Sequence, residues 1–268
     1  MTENIAKQLK TQLKNRHPKI AIILGSGLSH IADSLSSPLV IKYSEIKDCP
    51  IPSVEGHIGQ FVCGKIENTE VLCMQGRFHL YEGHEPKSIN DIIKSLQKIG
   101  IETLIVTNAA GSLNPKMAPG SIMLIKDHIN LSGKNPLIFP TYDEFGCKFI
   151  DMSNAYDKQQ RKIIKKIAHK QKNKLYEGVY LMVLGPNFET PAEIKAFKKL
   201  GANAVGMSTV PEVIAAIHAK MKVIGFSVIT NYGTGLCKKS LSHQNILNSA
   251  QQAGQELGTL IQQYIKEL

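Results

Sequence analysis

Residues 103–111 have the sequence TLIVTNAAG, an almost continuous apolar run that ends in small and polar residues. Such a run is typical of a β-strand that is buried on both faces of a parallel or mixed sheet. Similar runs are KIAIILG (19–25), EVLCMQG (70–76), SIMLIKDH (121–128), GVYLMVLGP (178–186), NAVGM (203–207) and KVIGFSVITN (222–231). The sequence therefore predicts strands of one largely parallel or mixed sheet.

Helical patterns separate these runs. The predicted helices cover 2–15, 88–99, 157–172, 191–200, 211–219 and 243–266. Thr190 and Glu193 have the spacing of a capping box, with Pro191 at the first helical position. Alternation of strands and helices from end to end predicts a single α/β domain over residues 1–268. The longest irregular stretch, 129–156, is expected to be a functional loop.

The composition narrows the function classes. An apolar content of 43% in 268 residues supports a sizeable core and excludes disordered and fibrous proteins. The formal net charge is +10, but the basic excess lies in residues 7–19 and 158–174, which resemble solvated helix faces. We therefore expect neither a nucleic-acid partner nor a membrane partner. Arginine is scarce: the chain has only Arg16, Arg77 and Arg161.

The cysteines and the N-terminal residues indicate the cellular compartment of the protein. Cys49, Cys63, Cys73, Cys147 and Cys237 form no CxxC pair, which favours reduced thiols and makes a structural metal site improbable. The first residues lack the apolar core of a signal peptide, and no apolar run approaches the roughly 20 residues that span a bilayer. A cytoplasmic protein is expected.

Two strand ends could hold an anion. Ser26 lies between two glycines after the first strand, where backbone N–H groups and a hydroxyl can face a phosphate. Arg77 is followed by His79 and Tyr81, and a guanidinium suits phosphate or carboxylate. The alternatives are a plain strand-to-helix turn at Ser26 and a surface arginine paired with Glu82.

Other strand ends present groups suited to a flat heteroaromatic ligand. Phe188 can stack on a planar base, and Glu189 can accept hydrogen bonds from its edge. Glu189 could instead be a first-turn acid favoured by the helix dipole. Ser208 precedes another helix, and Asn231 ends the final strand. Together the residues at these strand ends imply a ligand with an anionic part, a sugar-like part and a flat heteroaromatic part.

The order of motifs GSGL, GH-x-G, GRFHLYEG, TNAAG, LSGKNPL, GPNFETPAE, VGMSTVPE and ITN resembles that of the trimeric purine nucleoside phosphorylases. The resemblance covers almost the whole chain. It implies an α/β fold with a mixed, distorted central sheet flanked by helices. It also implies reversible phosphorolysis of purine (deoxy)ribonucleosides, a homotrimer, and no cofactor beyond inorganic phosphate as a co-substrate.

The resemblance also implies roles for individual residues. The expected phosphate-binding residues are Ser26, His57, Arg77, His79, Ala109 and Ser208. The expected ribose-binding residues are Tyr81, Tyr180, Met207 and His243. The expected base-binding residues are Ala109, Ala110, Gly111, Phe188, Glu189 and Asn231, with Phe145 from a neighbouring subunit. Among these, His57, Glu189, Asn231 and His243 are the expected catalytic residues.

Position 231 is expected to determine base specificity. An amide there, opposite Glu189, suits hypoxanthine and guanine, so inosine and guanosine are the expected substrates. The related methylthioadenosine phosphorylases carry an acidic residue at this position and remain the alternative enzyme. A further alternative is a non-catalytic protein that binds purines or nucleic acid through the basic helix 157–174.

Overall fold

The computed structural model describes residues 1–54, 58–138, 145–146, 149–236 and 243–268, with residues 243–252 by their backbone alone. Within these residues, one sheet contains nine strands. They are β1 Ile20–Leu24, β2 Ser36–Lys42, β3 Gln60–Ile66, β4 Thr69–Gln75, β5 Thr103–Ser112, β6 Ile122–Asn130, β7 Leu175–Met182, β8 Ala204–Gly206 and β9 Lys222–Tyr232.

The sheet is mixed and strongly curved, as the sequence predicts. Its strand order is β2-β3-β4-β1-β5-β8-β7-β6-β9, and β9 also pairs with β5, which closes β5, β8, β7, β6 and β9 into a ring. The pairs β1–β4, β1–β5, β5–β9, β6–β7 and β7–β8 are parallel. The pairs β2–β3, β3–β4, β5–β8 and β6–β9 are antiparallel.

The helices agree with the predicted ranges to within a few residues, and α2 is an addition. They are α1 Thr2–Leu13, α2 His30–Asp33, α3 Pro86–Lys98, α4 Lys158–Lys170, α5 Pro191–Lys199, α6 Val210–His218 and α7 His243–Lys266. The capping box of α5 is present, because the Thr190 side chain accepts from the Glu193 amide while the Glu193 side chain accepts from the Thr190 amide.

Two apolar layers explain why the strands are apolar at every position. In β1, Ala21 and Ile23 face the layer shared with α1, α3 and α6. Ile20, Ile22 and Leu24 face the opposite layer, shared with α2, α4 and α7. Alternate residues of a strand point to opposite faces, so a strand covered on both sides has no solvated face to mark with polar residues.

The parallel pairing places the candidate residues at one edge. Strand β1 is parallel to both β4 and β5, and β5 is parallel to β9. The carboxyl ends of these four strands therefore lie together. Ser26 and Arg77 follow β1 and β4, and Ala109 and Asn231 lie in the last few residues of β5 and β9.

Candidate active site

A cavity of about 700 Å³, including the part that opens to solvent, lies at this edge of the sheet. Twelve residues expected to contact a ligand line it: Ser26, Arg77, His79, Tyr81, Ala109, Ala110, Gly111, Phe188, Glu189, Met207, Ser208 and Asn231. The lining also includes Val205, Gly206 and Thr230, which the sequence did not indicate. Residues from six separated segments therefore converge on one cavity.

Arg77 is fixed at the base of the cavity. Its Nε donates to Oε1 of Glu212 at 2.9 Å, and its Nη1 donates to the Thr107 carbonyl at 2.9 Å and to Oγ of Ser208 at 3.0 Å. The guanidinium is buried, and its acidic partner is Glu212 rather than Glu82. The alternative of a surface arginine is therefore wrong. A buried guanidinium held in this way can receive an anion without further ordering.

His79 lies beside Arg77 and is oriented by Glu82. Nδ1 of His79 lies 2.8 Å from Oε1 of Glu82, which also accepts from the His79 amide at 3.0 Å. Oε2 of Glu82 accepts from the amide and the hydroxyl of Ser53 at 2.6 and 2.7 Å. Burial lowers the pKa of His79 and outweighs the opposing effect of Glu82. The ring is thus neutral near pH 7, with Nδ1 turned to Glu82 and Nε2 on its opposite side.

Tyr81 forms the neighbouring wall. Its ring stacks on that of His79, with the centroids 4.6 Å apart and 13° between the planes. Burial raises the pKa of its hydroxyl to about 12, so the hydroxyl remains protonated and can donate a hydrogen bond. A neutral hydroxyl next to an anion-binding group suits the polar edge of a sugar.

The turn after β1 closely approaches β5. The Gly25 amide donates to Oγ1 of Thr107 at 3.0 Å, and that hydroxyl donates to the Ile23 carbonyl at 2.9 Å. A Cβ at Gly25 would lie 2.7 Å from the Thr107 carbonyl oxygen, so only glycine fits. This approach brings Ser26 to the cavity that Arg77 lines.

Glu189 and Asn231 also line the cavity. Glu189 is 8% exposed, and burial raises the pKa of its carboxyl group. The Thr230 hydroxyl donates to Oδ1 of Asn231 at 2.8 Å, and Nδ2 of Asn231 donates to the Tyr232 carbonyl at 2.9 Å. Phe188 is 40% exposed and offers an aromatic face. A planar heterocycle could therefore stack on Phe188 and form edge-on hydrogen bonds to Glu189 and Asn231.

Tyr180 is not among the residues that line the cavity, and its expected contact with ribose stays a prediction. It is fully buried behind Gly206, and its hydroxyl accepts from the Ser208 amide at 3.4 Å. Burial raises the pKa of this hydroxyl to about 12. Tyr180 therefore holds the backbone of Ser208 through this hydrogen bond.

Phe145 contacts side chains of its own chain. Its ring lies 5.1 Å from Nζ of Lys94 and 5.6 Å from Nζ of Lys98, and its centroid is 6.2 Å from that of His218. Phe145 is only partly buried by these contacts, and its role in a neighbouring subunit's site stays a prediction. Phe149, four residues further along the same loop, is 90% exposed.

Two expected residues cannot be placed in the cavity. His57 lies outside the described residues, and His243 begins α7 but its side chain lies outside the description. Glu212, Glu82 and Thr230 are the structurally important residues that sequence reasoning missed. Glu212 lies within the GMSTVPE motif and Glu82 within GRFHLYEG, so the motifs contained them without indicating their partners.

The described part of the chain contains neither a metal-ligand cluster nor a membrane-spanning helix. There, no group of three or more His, Cys, Asp or Glu side chains is arranged to hold a metal ion. Over the same residues, no helix is both long enough and apolar enough to cross a membrane.

Comparisons with known proteins give a consistent result. The family model described as the phosphorylase superfamily matches residues 19–266. Purine nucleoside phosphorylase 1 of Bacillus subtilis is 47% identical over 230 residues, which cover 86% of this chain and 85% of that protein. Purine nucleoside phosphorylase of Bos taurus is 43% identical, with 95% of this chain and 90% of that protein covered.

A solved structure agrees with the fold. The crystal structure of Schistosoma mansoni purine nucleoside phosphorylase in complex with inosine superposes with a TM-score of 0.93 at 34% identity. The match covers 100% of this chain and 96% of that one.

Proposed function

Because the chain belongs to the phosphorylase superfamily and, within it, to the purine nucleoside phosphorylases, we propose that it catalyses reversible phosphorolysis of (deoxy)inosine and (deoxy)guanosine. The products are the free purine base and (deoxy)ribose 1-phosphate. One observation carries the proposal: a single cavity is lined both by a buried arginine that suits an anion and by a glutamate and an asparagine that suit the edge of a purine base. We refer to these as its anion-binding end and its base-binding end. The single sheet supports one domain over residues 1–268.

The anion-binding end suits inorganic phosphate. Arg77, Ser208 and Ser26 supply a guanidinium and two hydroxyls, and the Ala109 segment lines the same region. Ser208 already accepts from Arg77 at 3.0 Å, so the two groups are preorganised as a pair. Nε2 of the neutral His79 ring can accept the proton of a monohydrogen phosphate. His57 is proposed as a further phosphate ligand on the family resemblance alone.

Ribose is proposed to lie between the two ends. Tyr81 and Met207 line this part of the cavity, and the Tyr81 hydroxyl is a donor at neutral pH. His243 is proposed to orient the 5′-hydroxyl, on the resemblance alone. A sugar held here presents its anomeric carbon to phosphate on one side and to the base on the other.

The base-binding end suits a 6-oxopurine. The carboxylate of Glu189 can accept from N1–H and from the 2-amino group of guanine, and the Asn231 amide can bond to N7 and O6. Ala109, Ala110 and Gly111 have small side chains or none, which leaves room for a flat ring. Phe188 provides the stacking face.

The reaction develops charge at both ends of the cavity. Cleavage of the N-glycosidic bond makes the sugar cationic and the departing purine anionic. Bound phosphate dianion stabilises the cationic sugar and forms the new bond to C1′ as the bond to N9 breaks. The electron pair of the broken bond leaves with the purine, where a hydrogen bond from Asn231 stabilises it and a proton completes the free base.

A homotrimer is proposed on the resemblance. Phe145 is proposed to reach a neighbour's site on the resemblance alone, and Phe149, which is 90% exposed in the same stretch of chain, is a second aromatic residue that could do so. We also propose a cytoplasmic location, which the free thiols of Cys49, Cys63 and Cys73 support. No cofactor, nucleic acid or membrane partner is proposed.

The proposal is tested with a panel of nucleosides. The protein is incubated in phosphate buffer with inosine, guanosine, adenosine or methylthioadenosine, and free base is quantified by chromatography. We expect release from inosine and guanosine far above release from the two 6-aminopurine nucleosides. Preferential release from methylthioadenosine would identify the alternative enzyme.

A further inference from the structure

Thr209 has a backbone conformation that is unusual for its residue type. Its φ and ψ are 79° and −48°, and the Val210 amide donates to the Ser208 carbonyl at 2.9 Å across it. This is a γ-turn of the rare form with positive φ, which is strained for a β-branched side chain. Thr209 is fully buried, immediately after Ser208 in the cavity wall. Such strain persists only where the surroundings determine the conformation, and it occurs preferentially at functional sites.

A line of hydrogen bonds runs through this turn to the cavity. Nδ2 of Asn108 donates to Oγ1 of Thr209 at 2.8 Å, and Oγ1 of Thr209 lies 3.2 Å from Oγ of Ser208. Nη1 of Arg77 donates to the same Ser208 oxygen at 3.0 Å. All four side chains belong to residues that are at least nine-tenths buried.

Either the Ser208 or the Thr209 hydroxyl could donate the bond between them, and the direction from Thr209 to Ser208 is the one that frees the Ser208 proton. Arg77 can only donate, so Ser208 accepts from it. The Thr209 oxygen accepts from the Asn108 amide, and its own proton is therefore available to Ser208. Once Ser208 accepts from both Arg77 and Thr209, its single proton is left for a third partner. The cavity that Ser208 lines is where an anion would take that proton.

We propose that Thr209 is a positioning residue for phosphate: its hydroxyl, oriented by Asn108, turns the Ser208 proton into the cavity. The inference rests on the proposed function and deepens it. Hydrogen bonds aligned donor to acceptor strengthen one another, and a hydroxyl with a fixed proton binds an anion without losing rotational freedom. The strained turn is then the geometry that brings the two hydroxyls within hydrogen-bonding distance.

The test compares Thr209→Val with Thr209→Ser. Valine keeps the β-branched shape and removes the hydroxyl, whereas serine keeps the hydroxyl. We expect Thr209→Val to raise the KM for phosphate about tenfold, because the Ser208 hydroxyl is no longer oriented and its hydrogen bond to the phosphate anion is weakened. The KM for inosine should stay within about twofold, and Thr209→Ser should stay close to wild type. An unchanged phosphate KM in Thr209→Val, or an equal rise in Thr209→Ser, would overturn the proposal.

A second variant covers the case in which Thr209→Val does not fold. Asn108→Ala removes the donor at the start of the line and should also raise the phosphate KM selectively. Ser227→Ala is the matched control, because Ser227 is fully buried and pairs with Asn108 across β5 and β9. Its hydroxyl has no hydrogen-bond partner among the described residues. A selective rise in the control equal to that in Asn108→Ala would contradict the proposed line of hydrogen bonds.

Phosphate binding without nucleoside separates this proposal from the proposed function. The upward shift of Tm with phosphate concentration gives an apparent Kd for each folded variant. A wild-type protein that binds phosphate but cleaves no nucleoside would overturn the proposed function alone. A wild-type protein that cleaves inosine, with Thr209→Val binding phosphate as tightly, would overturn the positioning role alone.

Discussion

The guanidinium of Arg77 donates through Nε to Oε1 of Glu212 at 2.9 Å, with only 1% and 6% of the two side chains exposed. The pair joins the segment after β4 to the first turn of α6, 135 residues apart. Together with the bonds from Nη1 of Arg77 to Thr107 and Ser208, this buried pair fixes the guanidinium relative to Ser208, which lies just before the same helix. Glu212 holds Arg77 from the side away from the cavity.

Replacing Glu212 should affect both stability and phosphate affinity. Glu212→Ala leaves a buried guanidinium without its counter-charge, and we expect a loss of about 3–5 kcal/mol in the free energy of unfolding. Glu212→Gln keeps one hydrogen bond and should lose less stability, with a raised KM for phosphate. Urea denaturation and steady-state kinetics measure the two effects.

A surface pair provides the control for this prediction. Glu102 accepts from Lys19 at 2.8 Å, but the side chains are 69% and 60% exposed. Glu102→Ala should therefore change the free energy of unfolding by less than about 1 kcal/mol. A Glu212→Ala protein as stable as Glu102→Ala would show that the buried pair does not anchor Arg77.

Replacing Asn231 by Asp should change base preference. A carboxylate can accept from a 6-amino group but cannot donate to a 6-oxo group. The ratio of kcat/KM for adenosine to that for inosine should rise by at least about tenfold. The Thr230 hydroxyl can still donate to the new side chain, as it does to Oδ1 of Asn231 at 2.8 Å.

Asn231→Ala is the matched control for the base preference. It removes the amide without adding an acceptor, so it should slow both substrates and leave their ratio nearly unchanged. An Asn231→Asp protein whose ratio equals that of Asn231→Ala would contradict the assignment of Asn231 to the purine edge.

Glu82 should make stability depend on pH in a defined direction. Burial alone would raise the pKa of this carboxyl group, but hydrogen bonds from His79 and Ser53 hold it well below its usual range. An acid with a lowered pKa stabilises the folded state fully above its unfolded pKa of about 4.3 and loses that contribution as pH falls below it. The stability difference between wild type and Glu82→Gln should therefore be largest near neutral pH and shrink from about pH 4 downward.

The exposed carboxylate of Glu67 provides the control for the pH dependence expected of Glu82→Gln. Glu67 pairs with Lys266 at 2.7 Å, but its side chain is 62% exposed. Glu67→Gln should change stability little at any pH. A Glu82→Gln difference that stays constant from pH 7 to pH 3 would mean that ionisation of Glu82 does not stabilise the fold.

Mixing two impaired variants should restore activity if the sites are shared between subunits. Glu189→Ala should lose orders of magnitude in guanosine turnover, because its own base-binding end is broken. Phe149→Ala should lose activity because it cannot complete a neighbour's site. In mixed trimers, a Phe149→Ala subunit that lies beside a Glu189→Ala subunit has one complete site.

The guanosine turnover of the mixture, after dissociation and reassembly, measures this complementation. We expect it to exceed the sum of the two separate activities. Phe145→Ala replaces Phe149→Ala in a second mixture, and a gain in that mixture alone would identify Phe145, as the resemblance implies, as the shared residue. Equal complementation by both mixtures, or by neither, would contradict the role of Phe149.

The sequence predicts most of the core strands because burial on both faces makes them apolar throughout. The edge strand β2 was missed because it pairs only with β3 and leaves most of its residues exposed, so its pattern resembles a loop. Strand β3 was also missed: it is as long as β4, but Gly64 and Lys65 interrupt its apolar run. An apolar run in the sequence identifies a buried strand. An edge strand pairs with a neighbour on one side only, so it lacks such a run.

Some features of the candidate site could likewise be predicted from the sequence, and others could not. Arg77 and Asn231 could be predicted because chemically distinctive residues follow apolar strands. The partnership of Arg77 with Glu212 could not, because it depends on tertiary contact between segments 135 residues apart. Phe145 and Phe149 illustrate the limit most clearly: two phenylalanines in one loop look alike in sequence, and only packing shows that one is held and the other exposed.

Phosphorolysis differs from hydrolysis in its need for phosphate. The measurement that separates the two reactions follows the cleavage of inosine with and without phosphate. Base release is measured by chromatography and the sugar product by ³¹P NMR, in matched buffers that differ only in phosphate. We predict hypoxanthine and ribose 1-phosphate in equal amounts when phosphate is present, and no release when it is absent. Equal release without phosphate, with free ribose as the product, would identify a hydrolase and contradict the proposed phosphorolysis, as would no release under either condition.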